Sequence, residues 1–305
     1  RPGSVGERID ADQDEQGGIQ VVDGVQRLTT IRDYFGDNFV PTTSEYQNSL
    51  MGRKFSQLEA MWKRRLNQTQ IVVHVIDPQT PADLKFDIFR RINTGGTPLS
   101  TQEIRHCMVK ARARDYLARL TETKAFKEAI GGALKNNKRM VDRELALRFL
   151  AFRDEQALDD YDEARSFDGF LLETMKRLDD PIAFSDARLD TLAADFEQGL
   201  NNARAVFGKH AFRRWAAGEE RTNPLNKALF ESWTVALAEH EQQDVAQRAE
   251  LIRDAARARM KSDDELHIAT SVSTGDRRRV RYRFEVARRL AATEGGASVA
   301  SEESP

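Results

Sequence analysis

The run Ile19 to Thr30, IQVVDGVQRLTT, is the segment that most restricts how this chain can fold. Its β-branched residues stop at Asp23-Gly24 and an amphipathic pattern begins at once, which predicts a strand, a tight turn and a helix start in quick succession. Leu28, Ile31 and Phe35 have the spacing of that helix's buried face. A corner of this kind turns the first N–H groups of the helix towards whatever lies above the strand end, and the helix dipole favours an anion there. Arg27 stands at that mouth with a fork of donors suited to a phosphate, and Gln26 adds both a donor and an acceptor. Gly24 permits close backbone approach, and Asp23 is a candidate ligand for a magnesium ion or a sugar hydroxyl. These residues describe a phosphate or nucleotide site. The same corner also occurs in many folds for purely architectural reasons.

Composition narrows the class. With 305 residues, 40% hydrophobic and 31% charged, the chain can bury a core in one large domain or two smaller ones. A single cysteine, Cys107, leaves no internal disulfide and no cysteine-built metal site. No apolar stretch approaches the roughly 20 residues needed to span a bilayer, so the expectation is a cytoplasmic protein with no membrane partner. Lysine and arginine number 47 against 49 acidic residues, so any contact with DNA must come from a local patch.

Residues 1–18 are charged, glycine-rich and poor in large apolar side chains, and read as a flexible N-terminal loop without core. A helix is expected around Phe55 to Leu66, followed by a strand in the run from Gln70 to Ile76, whose apolar residues on both faces suit a strand covered on both sides. Leu84, Ile88, Phe89 and Ile92 mark a helix ending at Asn93, where Gly95 and Gly96 supply the conformations that a helix C-terminus prefers. Ser100 and Glu103 form a capping box for the next helix, with Ile104, Cys107, Met108 and Ala111 inward. Beyond residue 111 the pattern is helical nearly throughout, with stripes such as Val141, Leu145, Phe149 and Phe152, and Leu189, Leu192, Phe196, Leu200, Ala203 and Phe207. A last helix turns Val280, Phe284, Ala287 and Leu290 inward, ahead of a disordered tail over 294–305. The domains expected are therefore 19–110, α/β, and 111–293, α-helical.

Two motifs in this order carry a family resemblance. The DGxQRLTT segment from Asp23 to Thr30, followed by FRRINTGGTPLSTQEIR from Phe89 to Arg105, resembles domain-of-unknown-function family 262, the N-terminal half of the GmrSD type IV restriction endonucleases. RMVDRELALRFLAF, from Arg139 to Phe152, and the stretch from Ala269 to Gly275 extend the similarity over nearly the whole chain. The resemblance implies an α+β protein: a small N-terminal part like ParB and sulfiredoxin, then a mainly helical C-terminal part. It also implies a Gly-x-x-Arg turn that binds nucleotide phosphates, matched here by Gly24 and Arg27, and nucleotide hydrolysis in defence against phage DNA. Val25 replaces the first glutamine of the family's DGQQR motif, and the family's usual opening segment resembling PxFQRxYxW is not seen ahead of the strand.

The expected function is nucleotide binding with nucleoside triphosphate hydrolysis in a prokaryotic restriction system. Asp23 and Gln26 are the catalytic candidates, and Gly24, Gln26, Arg27, Asn93, Gly95 and Gly96 the nucleotide-binding ones. Magnesium would come with the nucleotide, held by Asp23; zinc, haem and flavin are not expected. Asn93, Gly95 and Gly96 serve equally well as a simple helix stop, and Glu103 and His106 are better explained by capping and packing than by catalysis. The histidines at 74, 106, 210, 240 and 267 lack metal-ligand spacing, and no nuclease arrangement is visible. The alternative is a DNA-binding or sensor subunit without turnover that acts with a separate nuclease. Its phosphate contacts would come from Arg277, Arg278 and Arg281 in an arginine-rich helix that also has the ordinary reading of a solvated surface.

Overall fold

The computed structural model describes residues 8–13, 18–42, 50–77, 79–92, 99–134, 139–153, 157–164 and 166–293. The molecule is predominantly helical and divides into two compact units, residues 1–107 and 108–305. Among the described residues no helix is long and apolar enough to cross a membrane.

The first unit is built on a three-stranded sheet of order β2-β1-β3, with β1 at Arg8–Gln13, β2 at Ile19–Asp23 and β3 at Val72–Ile76. β1 runs antiparallel to β2 and parallel to β3, so Ala11 lies opposite both Val21 and Val75. The reading of residues 1–18 as a loop without core is corrected here: β1 is the middle strand, and Ile9 and Ala11 are among the most buried residues of the unit. Its two apolar residues alternate at the strand period, and ladders to both neighbours satisfy its backbone. The abundant charges and glycines around them hide that period.

After β2, helix α1 occupies Val25–Phe35. Its buried residue is Tyr34, whereas Ile31 and Phe35, expected inward, are exposed at 40% and 37%. Tyr34 and Phe35 instead join a small aromatic group with Phe39 and Phe55, in which Phe35 stacks on Phe55 at 4.4 Å between ring centres. The helix expected over 55–66 is two elements, a 3-10 turn at Phe55–Gln57 and helix α2 at Ala60–Asn67, separated by the extended backbone of Leu58 and Glu59. β3 is also less covered than its sequence suggested. Val72, Val73 and Val75 are exposed at 57%, 46% and 44%, because a β-branched run specifies a strand without specifying what packs on it.

Helices α3, Ala82–Ile92, and α4, Thr101–Cys107, pack against β2. Phe86, Phe89 and Ile104 are buried between them and the sheet, whereas Leu84, expected inward, is exposed, as is Ala111 beyond α4. The capping box is present in full: the Ser100 N–H donates to Glu103 Oε2 at 2.6 Å and the Glu103 N–H to Ser100 Oγ at 3.2 Å.

Among the described residues, the regular elements of the second unit are helices, apart from one isolated bridge: α5 Ala111–Glu122, α6 Lys124–Ile130, α7 Val141–Phe152, α8 Ala157–Glu163, α9 Phe167–Asp179, α10 Asp186–Phe207 with a 3-10 turn at Gly208–His210, α11 Lys227–Ala238, α12 Gln242–Ser262, α13 Asp264–Ser271 and α14 Arg277–Ala291. The stripes read from the sequence form its core, including Leu145, Phe149 and Phe152 of α7 and Leu189 to Phe207 of α10. α11 is central, since all but its first residue are buried and it packs on α7, α10 and α14. It crosses α10 at Gly199, where a Cβ would meet the Thr234 carbonyl oxygen at 2.2 Å.

Candidate functional site

Gly24 makes the corner between β2 and α1. It takes φ 95° and ψ 7°, a left-handed conformation natural to glycine, and its carbonyl accepts the first helical bond from the Leu28 N–H at 2.9 Å. Space demands glycine as well, because a Cβ there would approach Ile9 Cδ1 at 2.3 Å. No side chain caps α1 and its first turn holds no acidic residue, so the positive end of its dipole is not neutralised from within the helix.

Beside this helix start lies an open groove of about 730 Å³. Gln26, Arg27, Thr30, Thr69 and Gln70 supply its polar wall, and Ile9, Ile31, Ile71 and Val72 its apolar one. Gln26 and Arg27 line the groove, while Asp23 and Gly24 are not part of its lining. The far wall, Thr69 to Val72, was not recognised from the sequence. Its signal was the exposed β-branched run, which reads as core when taken alone.

Arg27 and Asp23 hold one another, Nη2 to Oδ2 at 2.9 Å, with a third and a quarter of their side chains exposed. A guanidinium in an internal pair with no adjacent cavity would have no phosphate role. Here the pair borders the groove. A partly exposed ion pair contributes about 0–1 kcal/mol, so a polyanion can compete for the arginine.

The other expectations are met unevenly. Asn93, Gly95 and Gly96 lie outside the described residues. Glu103 is occupied by its cap, and Arg105 is buried, donating to Gln102 Oε1 at 3.0 Å with its guanidinium 5.6 Å from the Phe86 ring centre. No group of three or more histidine, cysteine or acidic residues that could hold a metal occurs among the described residues. His210 stacks on Trp215 at 4.0 Å, and burial, aided by nearby cations, pushes its imidazole below the usual range.

The arginine helix is α14, and most of its cations are engaged within the second unit. Arg281 pairs with Asp159 and Asp162, Arg277 donates to the Ala164 carbonyl at 2.7 Å, and Arg279 donates to that of Val272 at 2.7 Å. Arg288 meets Glu239 at 3.1 Å. Arg283 is wholly buried against Glu231, which also receives Arg148. All three candidates for DNA contact are exposed, but Arg277 and Arg281 are held by the partners just named, whereas Arg278 has a loose 3.5 Å pair with Glu265.

Residues 7–110 match the family model of the GmrSD restriction endonuclease N-terminal domain. The match indicates a component of a restriction-type defence system, and it stops before the helices that begin at Ala111. No curated protein and no solved structure matches the chain.

Proposed function

We propose that, within a restriction-type defence system, this chain binds a nucleoside triphosphate in the groove beside α1 and hydrolyses it. The observation that carries the reading is the uncapped start of α1 on a left-handed Gly24, with Arg27 at the edge of an open groove. The apolar wall of Ile9, Ile31, Ile71 and Val72 suits a base or sugar, and the polar wall suits phosphates. In keeping with this we read the three-stranded sheet with its Gly-x-x-Arg corner as ParB/sulfiredoxin-like.

Arg27 leaves Asp23 for the terminal phosphate groups as the nucleotide enters. The amides at the start of α1 stabilise the negative charge that develops as water attacks the terminal phosphorus, the nucleoside diphosphate departs and the water's proton passes to an oxygen of the released phosphate. Gln26 orients that water through its side-chain amide, in the absence of the glutamine that Val25 replaces. The exchange frees the Asp23 carboxylate. One carboxylate together with nucleotide phosphates is an ordinary donor set for magnesium, which would neutralise phosphate charge there.

Isothermal titration with each nucleoside triphosphate, with and without magnesium, tests the reading alongside an assay for released phosphate. Saturable heat and magnesium-dependent phosphate release are expected. No heat and no release at millimolar nucleotide would remove it.

A further inference from the structure

α14 is the helix richest in arginine among the described residues, yet most of its cations are engaged by partners within the second unit, as Arg281 and Arg283 illustrate. A smaller basic segment in the first unit is arranged differently. Between Arg53 and Arg65 five cations, Arg53, Lys54, Lys63, Arg64 and Arg65, accompany one carboxylate, Glu59. Lys63 is used locally, donating to the Ser56 carbonyl at 2.7 Å, and that bond ties the 3-10 turn after Lys54 to α2. Arg53, Lys54, Arg64 and Arg65 are exposed, and none forms an ion pair among the described residues.

The helix dipole gives Arg64 and Arg65 a structural reason to sit in the last turn of α2, but it does not extend to Arg53 and Lys54. Arg65 lies over the Trp62 ring at 5.6 Å, which steadies its guanidinium on the surface. The C-terminal turn of α2 is also bonded to the nucleotide groove, since Thr69 of the groove wall donates from Oγ1 to the Arg65 carbonyl at 3.0 Å. Two carboxylates accompany the patch, Glu59 in the sequence and Asp37, which accepts from the Ser56 N–H at 2.9 Å and feels the charges of Lys54 and Lys63. The exposed cations, in which arginine predominates, still outnumber them and match the spaced phosphates of a nucleic acid backbone.

We infer that Arg53, Lys54, Arg64 and Arg65 form a DNA-backbone contact surface on the first unit, bordering the proposed nucleotide groove. The partner follows from the restriction-type family match, while the surface itself does not depend on nucleotide binding or turnover.

The test is fluorescence anisotropy of a labelled DNA duplex with the full chain, without nucleotide, across a salt series. Wild-type protein is expected to bind with a salt slope that falls by about 0.9 for each phosphate contact removed, so Arg64→Gln/Arg65→Gln loses nearly two units of slope and at least about tenfold in affinity at low salt. Arg53→Gln/Lys54→Gln provides an independent second variant, and circular dichroism melts confirm that both remain folded. Arg27→Ala is expected to keep DNA binding, so a failed nucleotide titration and a failed DNA titration are separate results. Absence of wild-type binding, an unchanged slope in both variants, a loss of slope only in Arg277→Gln/Arg278→Gln, or equal competition by polyglutamate would each overturn the assignment. The last result would identify an acidic protein as the partner.

Discussion

Asp23 and Arg27 are each assigned a ligand under the proposed function, yet in the structure they are paired with one another. Releasing both costs little, because the pair is partly exposed, and the arginine regains charge-assisted bonds to phosphate. Arg27→Ala is therefore expected to cost about 1.5–3 kcal/mol of nucleotide binding, a loss of about 10- to 150-fold in affinity by titration calorimetry, with little change in melting temperature. A change of less than threefold would take Arg27 out of the site. At this scale the sequence was informative wherever backbone geometry dictated residue type. Gly24 was legible because a strand that turns directly into a helix needs a left-handed residue, and Ser100 with Glu103 because a capping box is a local pattern. The Asp23–Arg27 pair is not legible in the sequence, because it spans the end of a strand, a left-handed glycine and the first turn of a helix. Arg283 sits three residues after Val280 on the very stripe that continues through Phe284 and Ala287, so its burial was written in the same periodicity that marked the helix as amphipathic.

Among elements, the helices were easier to read than the strands. The stripes of α7, α10 and α14 have many turns over which the helical period can repeat, whereas β1 shows its period through Ile9 and Ala11 alone. β3 was visible as a strand, but its neighbours and cover are long-range properties absent from a run of five residues. The same limit hid the groove, whose walls come from α1, β1 and the approach to β3. Gly199 marks a contact that only the packed elements reveal. Gly199→Ala is expected to push α10 and α11 apart and destabilise the second unit by about 1–3 kcal/mol, read as a lower denaturation midpoint with an unchanged slope. Glu231→Ala acts at the junction of α7, α11 and α14 by leaving Arg148 and Arg283 without their shared carboxylate. A loss of about 3–5 kcal/mol in chemical denaturation is expected, and a loss below 1 kcal/mol would show that the arginines find other partners.

Across the whole molecule, the even balance of charge conceals unequal placement. Cations of the second unit close an internal ionic network, in which Arg148 bridges Glu144 and Glu231 while Lys227 also reaches Glu144. Burial alone would raise the Glu144 carboxyl, but the charges of Arg148 and Lys227 outweigh it and hold the group below its ordinary value of 4.5. A carboxyl depressed in the folded state stabilises the fold above its unfolded value and loses that contribution as pH falls through its folded one. Stability is thus expected to decline as the solution is acidified below about pH 4–5, and Glu144→Gln should flatten that part of a stability profile measured by denaturant titration. A C-terminal helix ordinarily frays before the rest of a domain opens. α14 is fastened through Arg283 to a fully buried carboxylate in the central helix, so peeling it away would strand Glu231 in the interior. Its amide protons are therefore expected to exchange with solvent only when the entire helical unit opens, which makes this outer helix part of the most slowly opening region.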